Sequence, residues 1–154
     1  MEAGNCYQAD CPAREVLGHV TGRWGGLVLG ALLHGTRRYS EIRDRIDGIS
    51  EKMLAQTLRD LERDGLVLRR QHAEVPPRVD YTLTPAGIEV AQRVMSLISW
   101  LQDNVGDLVA AQQRYAGVSQ TKAGVDRAVD YLQSHPAGWA DDPADFFRQG
   151  KDGS

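Results

Sequence analysis

Two cysteines and four histidines are the residues whose types could carry nucleophilic or metal chemistry. Cys11 and His19 would share one helix, about 12 Å apart along its axis, too far for a nucleophile and its base. His34, His72 and His135 fall in separate segments and read as surface or turn residues. The chain holds no Cys-x-x-Cys spacing, no phosphate-cradling glycine loop and no carboxylate pair that spacing brings together. No catalytic residue, metal ligand or cofactor is therefore assigned, and an enzyme is not expected.

Residues suited to recognition are better organised. With Leu54 as the zero direction and 100° per residue, Leu58 and Leu61 fall within about 40°, while Lys52, Gln56, Arg59 and Arg63 fall between about 140° and 200°. One face is apolar and the opposite face carries cations and an amide. Such a helix fits the major groove of double-stranded DNA: lysine donates to guanine, glutamine pairs bidentately with adenine, and a methyl or thioether touches thymine. Lys52, Met53, Gln56 and Thr57 are accordingly the candidate base contacts, and Ser50, Arg59 and Arg63 the candidate phosphate contacts. A solvated surface would use the same residue types, so the neighbours decide. Arg69-Arg70 and Arg78 stand on either side of a Pro76-Pro77 tip, and Arg37-Arg38 precede the next helix, all placed to hold backbone phosphates.

The elements that must position these groups are legible as periodicities. Pro12 suits the first position of a helix over 12–21, which carries Val16, Leu17 and Val20. Trp24, Leu27, Val28, Ala31 and Leu32 predict a second, buried helix that stops at His34-Gly35. Arg37–Tyr39 is long enough for an edge strand only, and Ser40–Ile46 predicts a short helix with Ile42 and Ile46 inward. After the turn at Asp47-Gly48-Ile49, Ser50 caps a helix to Arg63-Asp64, stopped by Gly65, with Leu54, Leu58 and Leu61 as its core stripe. Two helices on a short glycine-containing turn are a helix-turn-helix signature. Leu66–His72 and Arg78–Leu83 then alternate as a hairpin, with Leu66 and Leu68, then Val79, Tyr81 and Leu83, on the apolar side.

Thr84-Pro85 opens one long helix to about Ala111 whose Ala91, Val94, Ile98, Leu101, Val105 and Leu108 form a heptad seam. A second copy of the same helix is the partner such a seam predicts, with Val16 and Val20 of the first helix joining the homodimer interface. Residues 1–10 read as a flexible arm, 11–111 as the domain, and 112–154 as an extension with a helix over 119–133 and a mobile tail. The fold class is mainly α with a small β-hairpin (α+β): a winged helix-turn-helix domain with a long C-terminal dimerisation helix.

Composition agrees without adding specificity. The chain has 154 residues, 42% hydrophobic and 25% charged, which is ordinary for one soluble domain, and no apolar run is long enough to span a bilayer. The start lacks the basic and apolar regions of a secretory signal, so the expected location is cytoplasmic. The formal charge of −3 divides unevenly: residues 37–80 carry 10 basic and 9 acidic groups, against 2 and 3 before them and 6 and 9 after. Nucleic-acid binding thus rests on placement of cations, not on net charge.

Several motifs together resemble the HxlR family of bacterial regulators. They are Cys11-Pro12, Arg23-Trp24, Gly35 with Arg38-Tyr39-Ser40-Glu41-Ile42, Gly48-Ile49-Ser50 with Lys52-Met53-Leu54, Leu58-Arg59-Asp60-Leu61-Glu62 with Asp64-Gly65-Leu66-Val67, and Val75 through Gly87. The likeness covers about residues 11–104. It implies a homodimer of winged helices joined through terminal helices, a transcriptional regulator and here a repressor, on an inverted-repeat operator. Members similar to this chain include sensors of oxidants or electrophiles that use a cysteine at the position of Cys11.

Cys11 precedes a helix, where the partial positive charge of the N-terminus favours a thiolate, so redox or electrophile sensing is one reading. A small buried residue beside a helix-starting proline is the other. Cys6 is a resolving partner in the first reading and incidental in the second. A different alternative is a repressor without thiol chemistry whose small-molecule effector enters the dimer interface, with Trp24, Trp100 and Tyr115 as candidate lining.

Overall fold

A computed structural model describes residues 4–118, and the expected helix over 119–133 and the tail lie outside them. The elements run α1 (Pro12–Thr21), α2 (Gly25–Leu32), β1 (Arg37–Arg38), α3 (Tyr39–Arg45), α4 (Glu51–Arg63), β2 (Val67–His72), β3 (Arg78–Leu83), α5 (Pro85–Asp103) and α6 (Val105–Val118). This is the winged helix-turn-helix fold: helices around one small antiparallel sheet of order β1-β3-β2.

The chain divides into two units after Asp103. The single long helix expected to run to Ala111 is two helices, α5 ending at Asp103 and α6 starting at Val105. Asn104 and Gly106 lie at the division, both poorer helix formers than the leucine, alanine and glutamine around them.

In the first unit the core is built from Val28, Leu29, Leu32, Ile42, Leu54, Leu58, Leu61 and Val67, all essentially inaccessible to water. Helix α2 is its axis, and its inward face differs from the one its spacing predicts. A helix apolar all round gives no phase to a periodicity argument: Leu27, expected inward, is 40% exposed, whereas Leu29 is fully buried. The other side of α2 is made of glycines. A Cβ on Gly26 would fall 2.7 Å from Val94 Cγ1, so α5 lies almost on the α2 backbone.

That contact corrects the seam. Ala91 is fully buried and Val20 is 6% exposed, both within one chain, while Val94 packs half-buried against the same core. Val20 and Ala91, assigned to a dimer interface, are therefore covered by their own chain. The reason is the glycine face of α2, a surface inside the monomer on which the N-terminal half of α5 rests. Val16, also half-buried, packs on the core as well. Ile98 is half-buried and Leu101 is 42% exposed. In the second unit Val105 is 56% exposed and Leu108 half-buried.

The hairpin pairs Val67 with Leu83 through to His72 with Arg78. Tyr81 and Leu83 are buried and Val79 is half-buried, as the alternation of β3 implies, but β2 has the other phase. Val67 is buried and Leu68 is 53% exposed, because Leu66 still belongs to the turn that closes α4 and its buried side chain does not share the strand's period.

Candidate nucleic-acid interface

Helix α4 is fixed at both ends before it faces anything. Ser50 Oγ accepts from the Met53 amide at 3.1 Å, the N-cap its sequence position predicts. At the other end Gly65 adopts φ 75°, a conformation costly for any side chain, and lets the Leu66 amide reach back to the Leu61 carbonyl at 2.9 Å. Between them Leu54, Leu58 and Leu61 are 0–2% exposed. The opposite face is thereby held outward: Lys52, Met53, Gln56, Arg59 and Arg63 are exposed and Thr57 is half-buried.

Helix α3 is tied to α4 by a residue that periodicity alone does not single out. The Tyr39 hydroxyl donates to the Glu51 carbonyl at 2.7 Å, and Arg43 forms an ion pair with the Glu51 carboxylate at 3.0 Å. Both contacts meet the first turn of α4, so the two helices of the motif share a junction. Burial pushes the Tyr39 phenol above its ordinary value, with the Glu51 and Tyr81 charges acting the same way and Arg43 opposing them. Arg43 itself is raised by its hydrogen bonds to Asp44 and Glu51.

The outward face of α4 is internally connected. Gln56 Nε2 donates to Asp60 Oδ1 at 2.9 Å, and Arg59 Nη2 donates to Gln56 Oε1 at 2.9 Å. Arg63 Nη2 lies 3.1 Å from Glu15 of α1 and 3.6 Å from Asp60. His19 Nδ1, also in α1, is 2.6 Å from Asp64 Oδ2. Of the candidate contacts, then, Gln56, Arg59 and Arg63 form one cluster, whereas Lys52 lies outside the ion pairs formed among the described residues.

Sheet register sorts the remaining cations. Arg38 and Arg70 both sit opposite Asp80, while Arg37 and Arg69 both sit opposite the buried Tyr81. Residues directly opposite share a face, so Arg38, Arg70 and Arg78 belong to the outer side of the sheet and Arg37 and Arg69 to the inner. These cations thus fall into two sets on opposite sides of the sheet. Asp80 organises the outer set: its Oδ2 is 2.8 Å from His72 Nε2 and 3.3 Å from Arg78 Nε, and Arg78 is also 3.4 Å from Glu74. Between the wing tip and α3 an open cleft of about 540 Å³ is lined by Arg38, Tyr39, Ser40 and Arg78 among others. Asp80 was missed as the residue that organises this side of the sheet; the signal was its register, which sequence alone leaves open.

Cys11 is the N-cap residue of α1, half-buried, with its side chain making no cap hydrogen bond. Cys6 is likewise half-buried and free. The arm turns back over the thiol: a Cβ on Gly4 would lie 3.2 Å from Cys11 Sγ. Trp24, a candidate effector contact, is half-buried against the core with the Arg23 guanidinium 4.8 Å above its ring. Trp100 is 55% exposed, and Tyr115, in the second unit, 68%. No group of three or more metal-binding side chains occurs among the described residues, and no described helix is long and apolar enough to cross a membrane.

Comparison with known proteins agrees with this geometry. The HxlR-like helix-turn-helix family model matches residues 19–108. The HTH-type transcriptional regulator YtfH of Escherichia coli K12 is 47% identical over 116 residues, which is 75% of this chain and 92% of that protein. The solved structure of the ytfH regulator of Salmonella typhimurium, also 47% identical, superposes with a TM-score of 0.69 over 72% of this chain and 99% of its own. The redox regulator HypR in its oxidised form is 34% identical, with a TM-score of 0.56 over 61% of this chain and 97% of its own.

Proposed function

Since the chain belongs to the HxlR family of helix-turn-helix transcriptional regulators, and so to DNA-binding proteins rather than enzymes, we propose that it is a homodimeric repressor of an inverted-repeat operator. Each copy inserts α4 into a major groove, and modification of Cys11 by an oxidant or electrophile releases the DNA. The observation that carries the reading is the division of α4 into a buried leucine face and an exposed face of Lys52, Met53, Gln56, Arg59 and Arg63.

Lys52, Met53, Gln56 and Thr57 contact base edges, and Ser50, Arg59 and Arg63 contact phosphate. Arg37, Arg38, Arg69 and Arg78 add phosphate contacts from the sheet and the wing, where they set register and salt dependence without reading sequence. The apolar side chains offered to a second copy are, in the first unit, Leu97, Ile98, Trp100 and Leu101 of α5 and, in the second unit, Val105, Leu108 and Val109 of α6. Such a protein works where the chromosome is, in the cytoplasm of a bacterium.

Thiol control is supported by the free, uncapped Cys11 side chain and by the likeness to HypR, a redox regulator. A two-electron oxidant converts the thiolate to a sulfenic acid, which a second thiol condenses to a disulfide with loss of water. Selection of genomic fragments by the purified, reduced protein tests the whole reading. One inverted repeat should emerge from the bound pool and compete at least about a thousandfold better than random duplex. Equal retention of random duplex at low ionic strength would end it.

A further inference from the structure

We propose that Asp60, which faces the protein body rather than a base, is a positioning residue that sets the base preference of Gln56. The inference rests on the reading of α4 as the groove-inserting helix and adds a determinant of what that helix reads.

The Gln56 amide has one acceptor-only and one donor-only neighbour. Its Nε2 donates to the Asp60 carboxylate and its Oε1 accepts from the Arg59 guanidinium, each at 2.9 Å. A flip of the amide would set oxygen against carboxylate and NH2 against guanidinium, replacing two attractive contacts by two repulsive ones. The amide is thus fixed in one sense. One N–H and one lone pair remain free, which are the one donor and one acceptor that bidentate pairing with adenine requires.

Asp60 is itself held from behind. Its side chain is 21% exposed, its Oδ1 is 3.6 Å from Arg63, and that guanidinium is 3.1 Å from Glu15 of α1. The carboxylate lines a recess with His19, Gly22, Arg23 and Trp24, at the junction of α1 and α2. A glutamine on a free surface loses rotamer freedom when it meets a base. Here that freedom is already restricted before DNA arrives, which is how preorganisation sharpens selectivity. Removing Asp60 should therefore loosen discrimination while leaving affinity for DNA in general unchanged or higher, because a negative charge beside the duplex disappears. A residue with a merely structural role would weaken every duplex together.

Duplexes recovered from a random pool by the full-length dimer, and their single-base variants, are titrated by fluorescence anisotropy with wild type, Q56A, D60A and the double variant. Q56A should flatten preference at one base pair of each half-site. D60A should flatten the same pair by about three- to tenfold, add nothing in the Q56A background, and keep or raise the affinity for random duplex. D60N, which keeps an acceptor oxygen but can also flip and donate, should lose part of the discrimination, and it carries the test if D60A does not fold. Unchanged discrimination in D60A or D60N, effects of D60A and Q56A that multiply, or a uniform loss across all duplexes would overturn the role of Asp60. If Q56A itself changes no base preference, the assignment of Gln56 as a reader fails first, a result distinct from failure at Asp60 alone.

Discussion

The Tyr39 hydroxyl and the Glu51 carbonyl, 2.7 Å apart, join the first turns of α3 and α4, so the angle between the two helices of the motif is held at their shared corner. Y39F removes that bond while keeping the ring. Stability at neutral pH should fall by about 0.5–1 kcal/mol, measured by urea unfolding. The phenol is raised above 10.0 in the folded protein, so its contribution is fully present below the ordinary value and is lost as pH rises through the raised one. Wild type should therefore lose stability at alkaline pH more steeply than Y39F, and parallel profiles would show that the contact does not matter.

Base reading and phosphate contact separate by their salt response. Q56A should relax preference at one base pair and leave the dependence of affinity on salt unchanged. R78A should weaken all duplexes together and reduce the slope of log K against log salt by at most about one. Arg78 is already shared between Asp80 and Glu74, which is why less than a full unit is expected. A sequence-dependent effect of R78A in the same titrations would assign the wing to base readout instead.

The thiol control proposed for Cys11 is separable from the DNA face. C11S should bind the selected operator as wild type does in reducing buffer and stay bound in diamide or methylglyoxal, which release the wild type in a mobility-shift assay. Release of C11S at the same dose would remove Cys11 from the mechanism. C6S distinguishes the routes: it should block release by diamide, which needs a second thiol, and spare release by methylglyoxal, which does not.

The start of α5 tolerates no side chain at Gly87. A Cβ there would collide with the Leu66 carbonyl, so G87A should cost about 2 kcal/mol or more in thermal or urea unfolding. Backbone rather than a flexible side chain is in the way; a melting temperature within about a degree or two of wild type would show that the turn can shift.

Much of this architecture was legible because particular residues leave little choice. Ser50, the leucines at 54, 58 and 61, and Gly65 fix where α4 begins, which way it faces and where it stops, and the structure has all three. The wing followed from Val79, Tyr81 and Leu83 around a proline tip. Legibility failed where one pattern serves two purposes. The apolar side chains of α2 surround the helix, so Leu27, expected inward, is exposed while Leu29 fills the core, and the α5 seam from Ala91 rests on the glycines of α2 in the same chain. Asp60 was invisible as a participant because an acidic residue on a helix surface has no signature of its own; its part depends on Gln56 one turn earlier and Glu15 in α1.

The short turn after α4 links two tasks. Thr84 Oγ1 donates to the Gly65 carbonyl at 2.7 Å, the Thr84 amide donates to the Leu66 carbonyl at 3.0 Å, and the Gly87 amide donates to Thr84 Oγ1 at 2.9 Å. The end of α4 and the start of α5 are thus riveted at one joint by the hydroxyl of a single threonine and backbone groups. If two copies pair through α5 as proposed, this joint acts like the lock on a pair of callipers, carrying the gap between the two jaws unchanged onto the DNA. Operators whose halves are moved apart by one or two base pairs would then be rejected by rigidity alone, even with every base of each half intact.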